Sequence, residues 1–290
     1  MIHRVGFACV TYGLGLSTGH TLRLANLSAA TLEAAVEKNC ADLQATLEWM
    51  DGRDLRMLRL ASSFIPFASH ERMLLDWEGM FAERLGRLGE RWAGRGFRFS
   101  MHPGQYTVLN SLRPDVVERA VAELASSCRV LDLMGLDAEH KVVVHAGCVC
   151  GDKDAALQRL GGVLAGLSPG IRRRLVLEND ERLFTFADVV RAAAQAGLPA
   201  VFDVHHHTIN PCPDVDSWLR QAGALWDCRP KVHLSSRKPD ARPGAHDLFI
   251  REEDLAALLA LLPWDADVMV EAKAKEEAAL GVLRMLGRVV

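Results

Sequence analysis

The chain predicts an α/β fold, a single (β/α)8 TIM barrel with its active site at the C-terminal ends of the strands. Three observations point to it. Short runs rich in Val and Leu alternate with helix-spaced segments eight times, and 290 residues is about the length such a barrel takes. No Ser-, Gly- or Pro-rich linker interrupts the alternation, so residues 1–290 are read as one domain. A doubly wound open sheet is the competing arrangement, but it calls for a Gly-rich phosphate turn after its first strand. Gly13-Leu14-Gly15 echoes that turn without a third glycine at the required spacing.

Residues 4–9 read as the first strand, and residues 29–50 as a helix in which Leu32, Val36, Leu43 and Leu47 share a face. A second strand over 55–61 precedes a helix over 76–92. A third over 97–101 precedes a helix starting at Pro114, a position where proline is tolerated. The fourth unit pairs 142–145 with 153–167. The fifth pairs 175–178 with 186–196, whose end is marked by the stop signal Gly197-Leu198-Pro199. Strands over 200–204, 232–234 and 268–271, with helices over 215–224, 252–262 and 275–286, complete the series.

Composition narrows the function classes. Hydrophobic residues make up 49% and charged residues 24%, the balance of a water-soluble globular protein. Apolar runs such as the one ending at Pro263 stop short of a bilayer span, and MIHRVGFACV reads as a strand without a basic leader or cleavage signal. No membrane partner and a cytoplasmic location are therefore expected. Seven cysteines, an odd number scattered through apolar segments, argue against a disulfide framework and for a reducing compartment. Cys148 and Cys150, one residue apart, are expected to be packing residues. A net charge of −3 neither demands nor forbids a nucleic-acid partner.

The informative pattern is what stands where the strands end. The third strand runs into His102, the fourth into His145 and the fifth into Glu178. The sixth runs into Asp203 and then His206, the seventh into His233 and the eighth into Glu271. A barrel gathers these ends on one face, with His70 and His246 in loops of the same rim. Each alone has a plain structural use, as a hydrogen-bonded histidine or a surface carboxylate. Together they are the ligand inventory of a multinuclear cluster of divalent ions, in which Glu178 or Asp203 can bridge. Histidine plus carboxylate without thiolate suits Zn2+ or Mn2+. In His205-His206-His207, strand alternation turns only some of the rings inward, while His3, His20 and His140 are left with structural roles. Lys231 lies two residues before His233 and on the same strand face. It is repelled by neighbouring cations unless neutralised or modified; otherwise it reaches solvent at the lower rim.

At these positions the chain resembles a known family. FIPFASH (64–70), SMHPGQY (100–106), LEND (177–180), RPKVHLSS (229–236), RPGAH (242–246) and DVMVEAK (267–273) look like the motifs of the UV damage endonucleases, barrel relatives of endonuclease IV. The match spans residues 5–275. The resemblance implies nicking of double-stranded DNA immediately 5′ of ultraviolet photoproducts, without ATP, using up to three divalent ions. Manganese is favoured, with zinc, cobalt or magnesium as alternatives. It implies metal ligands at His102, His145, Glu178, Asp203, His206, His233, His246 and Glu271, and favours His206 over its neighbours. It also implies an active-site role for His70, carboxylation of Lys231, and lesion probing by Gln105 and Tyr106. The family pattern has tyrosine and asparagine where this chain has Phe7 and Thr11, which leaves Phe7 for stacking.

Clustered divalent ions suit hydrolysis of a phosphodiester, leaving a 3′-hydroxyl and a 5′-phosphate, with Glu178 central. A cyclobutane dimer stacks and pairs poorly, so Gln105-Tyr106 is read as a wedge that occupies the gap, with Tyr12 on the same rim. Arg229, Lys231, Arg237, Lys238 and Arg242 form a basic run around the seventh strand that would meet the DNA backbone. A monomer without an obligate protein partner is expected. The rival readings are a xylose-isomerase-like sugar isomerase or epimerase, a general abasic-site nuclease, and a damage sensor without catalysis.

Overall fold

The computed structural model describes residues 1–104 and 106–288. Eight parallel strands close into a barrel: β1 (Ile2–Ala8), β2 (Met57–Leu60), β3 (Arg98–Met101), β4 (Lys141–His145), β5 (Leu175–Glu178), β6 (Ala200–Asp203), β7 (Lys231–Leu234) and β8 (Ala266–Val270), with β8 pairing back onto β1. The helices α1 (Ala29–Asp51), α2 (Trp77–Ala93), α3 (Pro114–Leu133), α4 (Lys153–Gly166), α5 (Phe186–Ala196), α6 (Val215–Gly223), α7 (Glu252–Leu261) and α8 (Glu276–Met285) follow the strands in turn. Local signals set their ends. Ser28 and Thr31 form a capping box at α1, Pro114 opens α3, and Gly197 in the left-handed region (φ 63°) closes α5.

Alternation along each strand divides the apolar side chains into two layers. Val142, Val144, Leu175, Leu177 and Phe202 face the helices and join the main core. Val143, Val176 and Val201 instead cluster inside the barrel, as do Ala8, Met57 and Met269. Beneath this plug, Arg98 is buried and donates to Asp267 Oδ2 (2.9 Å) and to the carbonyl of Arg229 (2.8 Å), which satisfies its charge. Above it the same alternation brings the strand-end side chains into the barrel mouth. Register aligns them: His145 lies opposite Glu178, and Asp203 opposite His233.

Several features depart from the sequence expectations. Gly13-Leu14-Gly15 belongs to the turn of a small ribbon, Val10–Thr11 with Leu16–Ser17, in which Gly15 takes φ 64°. Short helices also form at Pro169–Arg172 and Val204–Ile209. Cys148 and Cys150 are not separate packing residues but a disulfide pair, while the other five cysteines are free. Cys150 takes a positive φ (47°), and its Cα lies 5.5 Å from that of Cys148. Among the described residues no helix is long and apolar enough to cross a membrane.

Candidate metal centre

Glu178, at the end of β5 and 1% exposed, is the hub of the barrel mouth. Its Oε2 lies 3.0 Å from His102 Nε2 and 3.7 Å from His145 Nε2, and its Oε1 lies 2.6 Å from His233 Nδ1. The same nitrogen of His233 is 3.0 Å from Glu271 Oε1. Three groups of potential ligands share this carboxylate: His102 with His145, His233 with Glu271, and Asp203 with His206. The offered atoms of each group lie within 4.8 Å of one another. Seven residues named from the sequence are thus brought together from six strands.

Electrostatics matches this geometry. Burial alone would raise the Glu178 carboxyl, but His233, His145 and His102 reverse this and hold it well below the ordinary range. Glu271 is likewise lowered against its burial, chiefly by the Arg59 guanidinium and then by His233. Burial would lower His206, but Asp203, Glu178 and Glu271 raise it to about 9. Some polar atoms in this region are buried without a hydrogen-bond partner among the described residues: His145 Nδ1, Asp203 Oδ2, His233 Nε2 and Lys231 Nζ. Imidazole nitrogens and carboxylate oxygens gathered within 4.8 Å of one another in each group are a donor set that fits divalent cations.

The histidine triplet is not a continuation of strand β6. It lies in the short helix Val204–Ile209, capped by Asp203, whose Oδ1 accepts from the His206 backbone N–H at 2.8 Å. Helical spacing sends the three rings different ways. His206 joins the cluster, its Nδ1 bonded to the Asn179 carbonyl (3.0 Å). The His205 ring meets that of His246 at 5.5 Å, and His207 packs on Phe202 at 5.3 Å. The His246 ring is 6.3 Å from that of His206, at the edge of the cluster and outside its three groups. His70 is also outside them: its Nδ1 accepts from the Arg72 N–H at 3.1 Å, and its ring meets Phe67 edge-on.

Lys231 is buried inside the barrel, not extended to solvent at the lower rim. Burial, followed by the charges of Arg98 and Arg59, lowers its ammonium to about 7. Two expected DNA contacts are corrected. Phe7 is fully buried, on the outward face of β1 in the core between strands and helices, so its ring is unavailable for stacking on a base. Thr11 is 1% exposed, with its hydroxyl on that of Thr46 at 3.2 Å. Tyr12 and Tyr106, by contrast, are exposed, Tyr106 at 85%. Gln105 lies outside the described residues. Of the basic run, Arg237, Lys238 and Arg242 are exposed, whereas Arg229 reaches toward Asp267 at the barrel floor.

Two residues of the centre were not singled out from the sequence. Asn179 exchanges hydrogen bonds with the backbone of Asp203 (2.9 and 3.0 Å) and so ties the end of β5 to that of β6. Its signal was its place beside Glu178 in LEND. Arg59 points into the mouth and is paired with Glu271. Its signal was a charge at an inward position of an otherwise apolar strand.

The family model for UV-endonuclease UvdE matches residues 3–289. The chain belongs to the UvdE family. It is 30% identical to the UV DNA damage endonuclease of Clostridium perfringens (strain 13 / Type A), over 98% of this chain and 70% of that protein. With the Bacillus pumilus (strain SAFR-032) UV DNA damage endonuclease it shares 31%, over 87% of this chain and 81% of that one. The crystal structure of SacUVDE superposes with a TM-score of 0.92 at 32% identity, covering 99% of both chains. Endonuclease IV from Thermus thermophilus matches at TM-score 0.59 and 18% identity, over 97% of both chains, a likeness of fold. As the UvdE resemblance implied, the fold is a (β/α)8 barrel.

Proposed function

We propose that this UvdE-family chain is a metal-dependent, ATP-independent DNA endonuclease that hydrolyses the phosphodiester immediately 5′ of ultraviolet photoproducts. It leaves a 3′-hydroxyl and a 5′-phosphate, and acts as a one-domain monomer in DNA repair. The observation that carries the reading is the position of Glu178 at the intersection of three ligand groups, joined to family membership over nearly the whole chain. His102 and His145, His233 and Glu271, and Asp203 and His206 would hold up to three divalent ions around it, manganese foremost, with His246 closing the edge beside His206. Such ions lower the pKa of a water and offset the charge of a phosphodiester.

The chain's own residues prepare that chemistry. Glu178 stays ionised in a buried place because its histidine partners favour the charged form. Asn179 and the Asp203 cap fix the backbone that carries Glu178, Asp203 and His206. Lys231 holds a buried, unpartnered amine within electrostatic reach of Glu178 and Glu271. Carboxylation, which the family resemblance implies, would turn it from a repelled cation into an acidic group. Tyr106, exposed on the loop after β3, supplies a flat ring that could occupy the gap left by a poorly stacked dimer, with Gln105 beside it. Arg237 and Lys238 would meet backbone phosphates. His70 acts at the margin of the site, near the phosphate.

Nicking of irradiated against plain supercoiled plasmid in Mn2+ tests the activity. Glu178→Gln should lower irradiated-plasmid nicking by about 100- to 1,000-fold, the scale of losing one transition-state group, while damaged-DNA affinity stays within a few fold. Full activity in that variant removes Glu178 from the mechanism.

A further inference from the structure

We infer that Arg59 ranks the three metal positions and makes the one formed by Glu178, His233 and Glu271 the weakest and most readily exchanged. This rests on the metal-dependent reading above. The three groups share Glu178, so their differences lie in what surrounds the other ligands. His102 and His145 bring imidazoles to theirs. Near Asp203 and His206 stands a further carboxylate, Glu181, whose Oε2 is 3.9 Å from His206 Nε2. Around Glu271, leaving aside Lys231, whose sign depends on its carboxylation, the added charge has the opposite sign. The Arg59 guanidinium donates to Glu271 Oε1, the oxygen that also faces His233 Nδ1 at 3.0 Å. Lys275 stands on the same side, within electrostatic reach of both Glu271 and Arg59.

An arginine keeps its charge at any working pH, so this compensation cannot be released as a proton. At an effective dielectric of about 20, a monovalent and a divalent cation roughly 6 Å apart repel by more than a hundredfold in binding constant. The opposing effect is orientation. A hydrogen-bonded partner that aims a metal ligand is typically worth about 10- to 100-fold in affinity. Repulsion outweighs it here because Arg59 is a full charge on an oxygen that itself faces the group, not a neutral donor behind the ligand. Only this side-chain hydrogen bond of Arg59 forms among the described residues, so the guanidinium is not drawn elsewhere.

Metal-free protein titrated with Mn2+ alone, with free Mn2+ followed by electron paramagnetic resonance, tests the ranking. Wild type should show one class at least tenfold weaker than the rest. Arg59→Met should tighten that class at least tenfold and leave the others within threefold, whereas Arg59→Lys, which keeps the charge, should retain the weak class. A weak class that is unchanged or further weakened in Arg59→Met overturns the inference. Glu271→Gln gives an independent check that needs no change at Arg59: the weak class should vanish, and loss of a strong class instead would overturn the ranking. A wild-type protein that binds no Mn2+ removes the metal-dependent reading itself. Mn2+ binding and nicking of irradiated DNA without the expected tightening removes only the role of Arg59.

Discussion

A carboxylate taken out of water ordinarily keeps its proton; Glu178 keeps its charge because three imidazoles reach it. His140 is the opposite case. It is buried away from the centre, its Nδ1 accepts the Phe99 N–H at 2.8 Å, and burial lowers its pKa to about 4. The folded state therefore binds a proton on His140 less readily than the unfolded chain does. Its stability is complete above about pH 6.5 and falls as the pH drops toward 4, by roughly 3 kcal/mol in total. His140→Asn, which keeps an acceptor for Phe99 but does not titrate, should flatten that part of the acid-denaturation profile; an unchanged acid limb in chemical unfolding would assign the sensitivity elsewhere. Phe7 also belongs to this scale. As a core ring, its replacement by Ala should cost about 3–5 kcal/mol, read as a lower unfolding midpoint. Lesion discrimination by the surviving folded protein should be unchanged. Tyr106→Ala should do the reverse, reducing discrimination between damaged and plain DNA without altering metal content or stability.

Elements decide which of several plausible residues reaches the centre. Strand ends were legible because period-two alternation and a Val-rich run fix the direction of His145, Glu178 and His233 once the barrel is assumed. The histidine triplet was not legible by that rule, since the backbone has already become helical at Val204. Asp203 serves two purposes there, capping the helix through Oδ1 and leaving Oδ2 unpartnered in the cluster. The burial of Phe7 and Thr11 was likewise hidden, because position in the sequence does not reveal which neighbours close over a side chain, whereas the strand face that Lys231 shares with His233 left an interior lysine as one of two readings. Asp203→Asn preserves a capping oxygen but removes the charge. It should keep most of the stability of the metal-free protein while weakening metal uptake. Asp203→Ala loses the cap as well, at a further cost of about 1 kcal/mol. Equal unfolding midpoints for the two variants would show that the cap contributes nothing.

The whole barrel is polarised along its axis: an ion-paired floor around Arg98 and Asp267, an apolar plug, and the histidine–carboxylate mouth. The segment after β7 extends this polarity outward. Arg237 bridges His246, and the Lys238 N–H donates to the Ala245 carbonyl at 2.8 Å. His246 is thereby held beside His205 while Arg237, Lys238 and Arg242 remain exposed. A mild net charge of −3 is compatible with DNA binding when the cations are gathered on the rim that carries the chemistry. If these three side chains meet phosphates, replacing all three with Ala should reduce the slope of log affinity against log salt by about 0.9 per lost contact, so by up to about 2.7. Affinity for irradiated and plain duplex should fall together, because phosphate contacts carry no lesion information. Fluorescence anisotropy with both duplexes over a salt series measures slope and discrimination at once. A slope equal to wild type would leave these cations as a solvated loop, and a loss confined to irradiated DNA would make them part of lesion recognition instead.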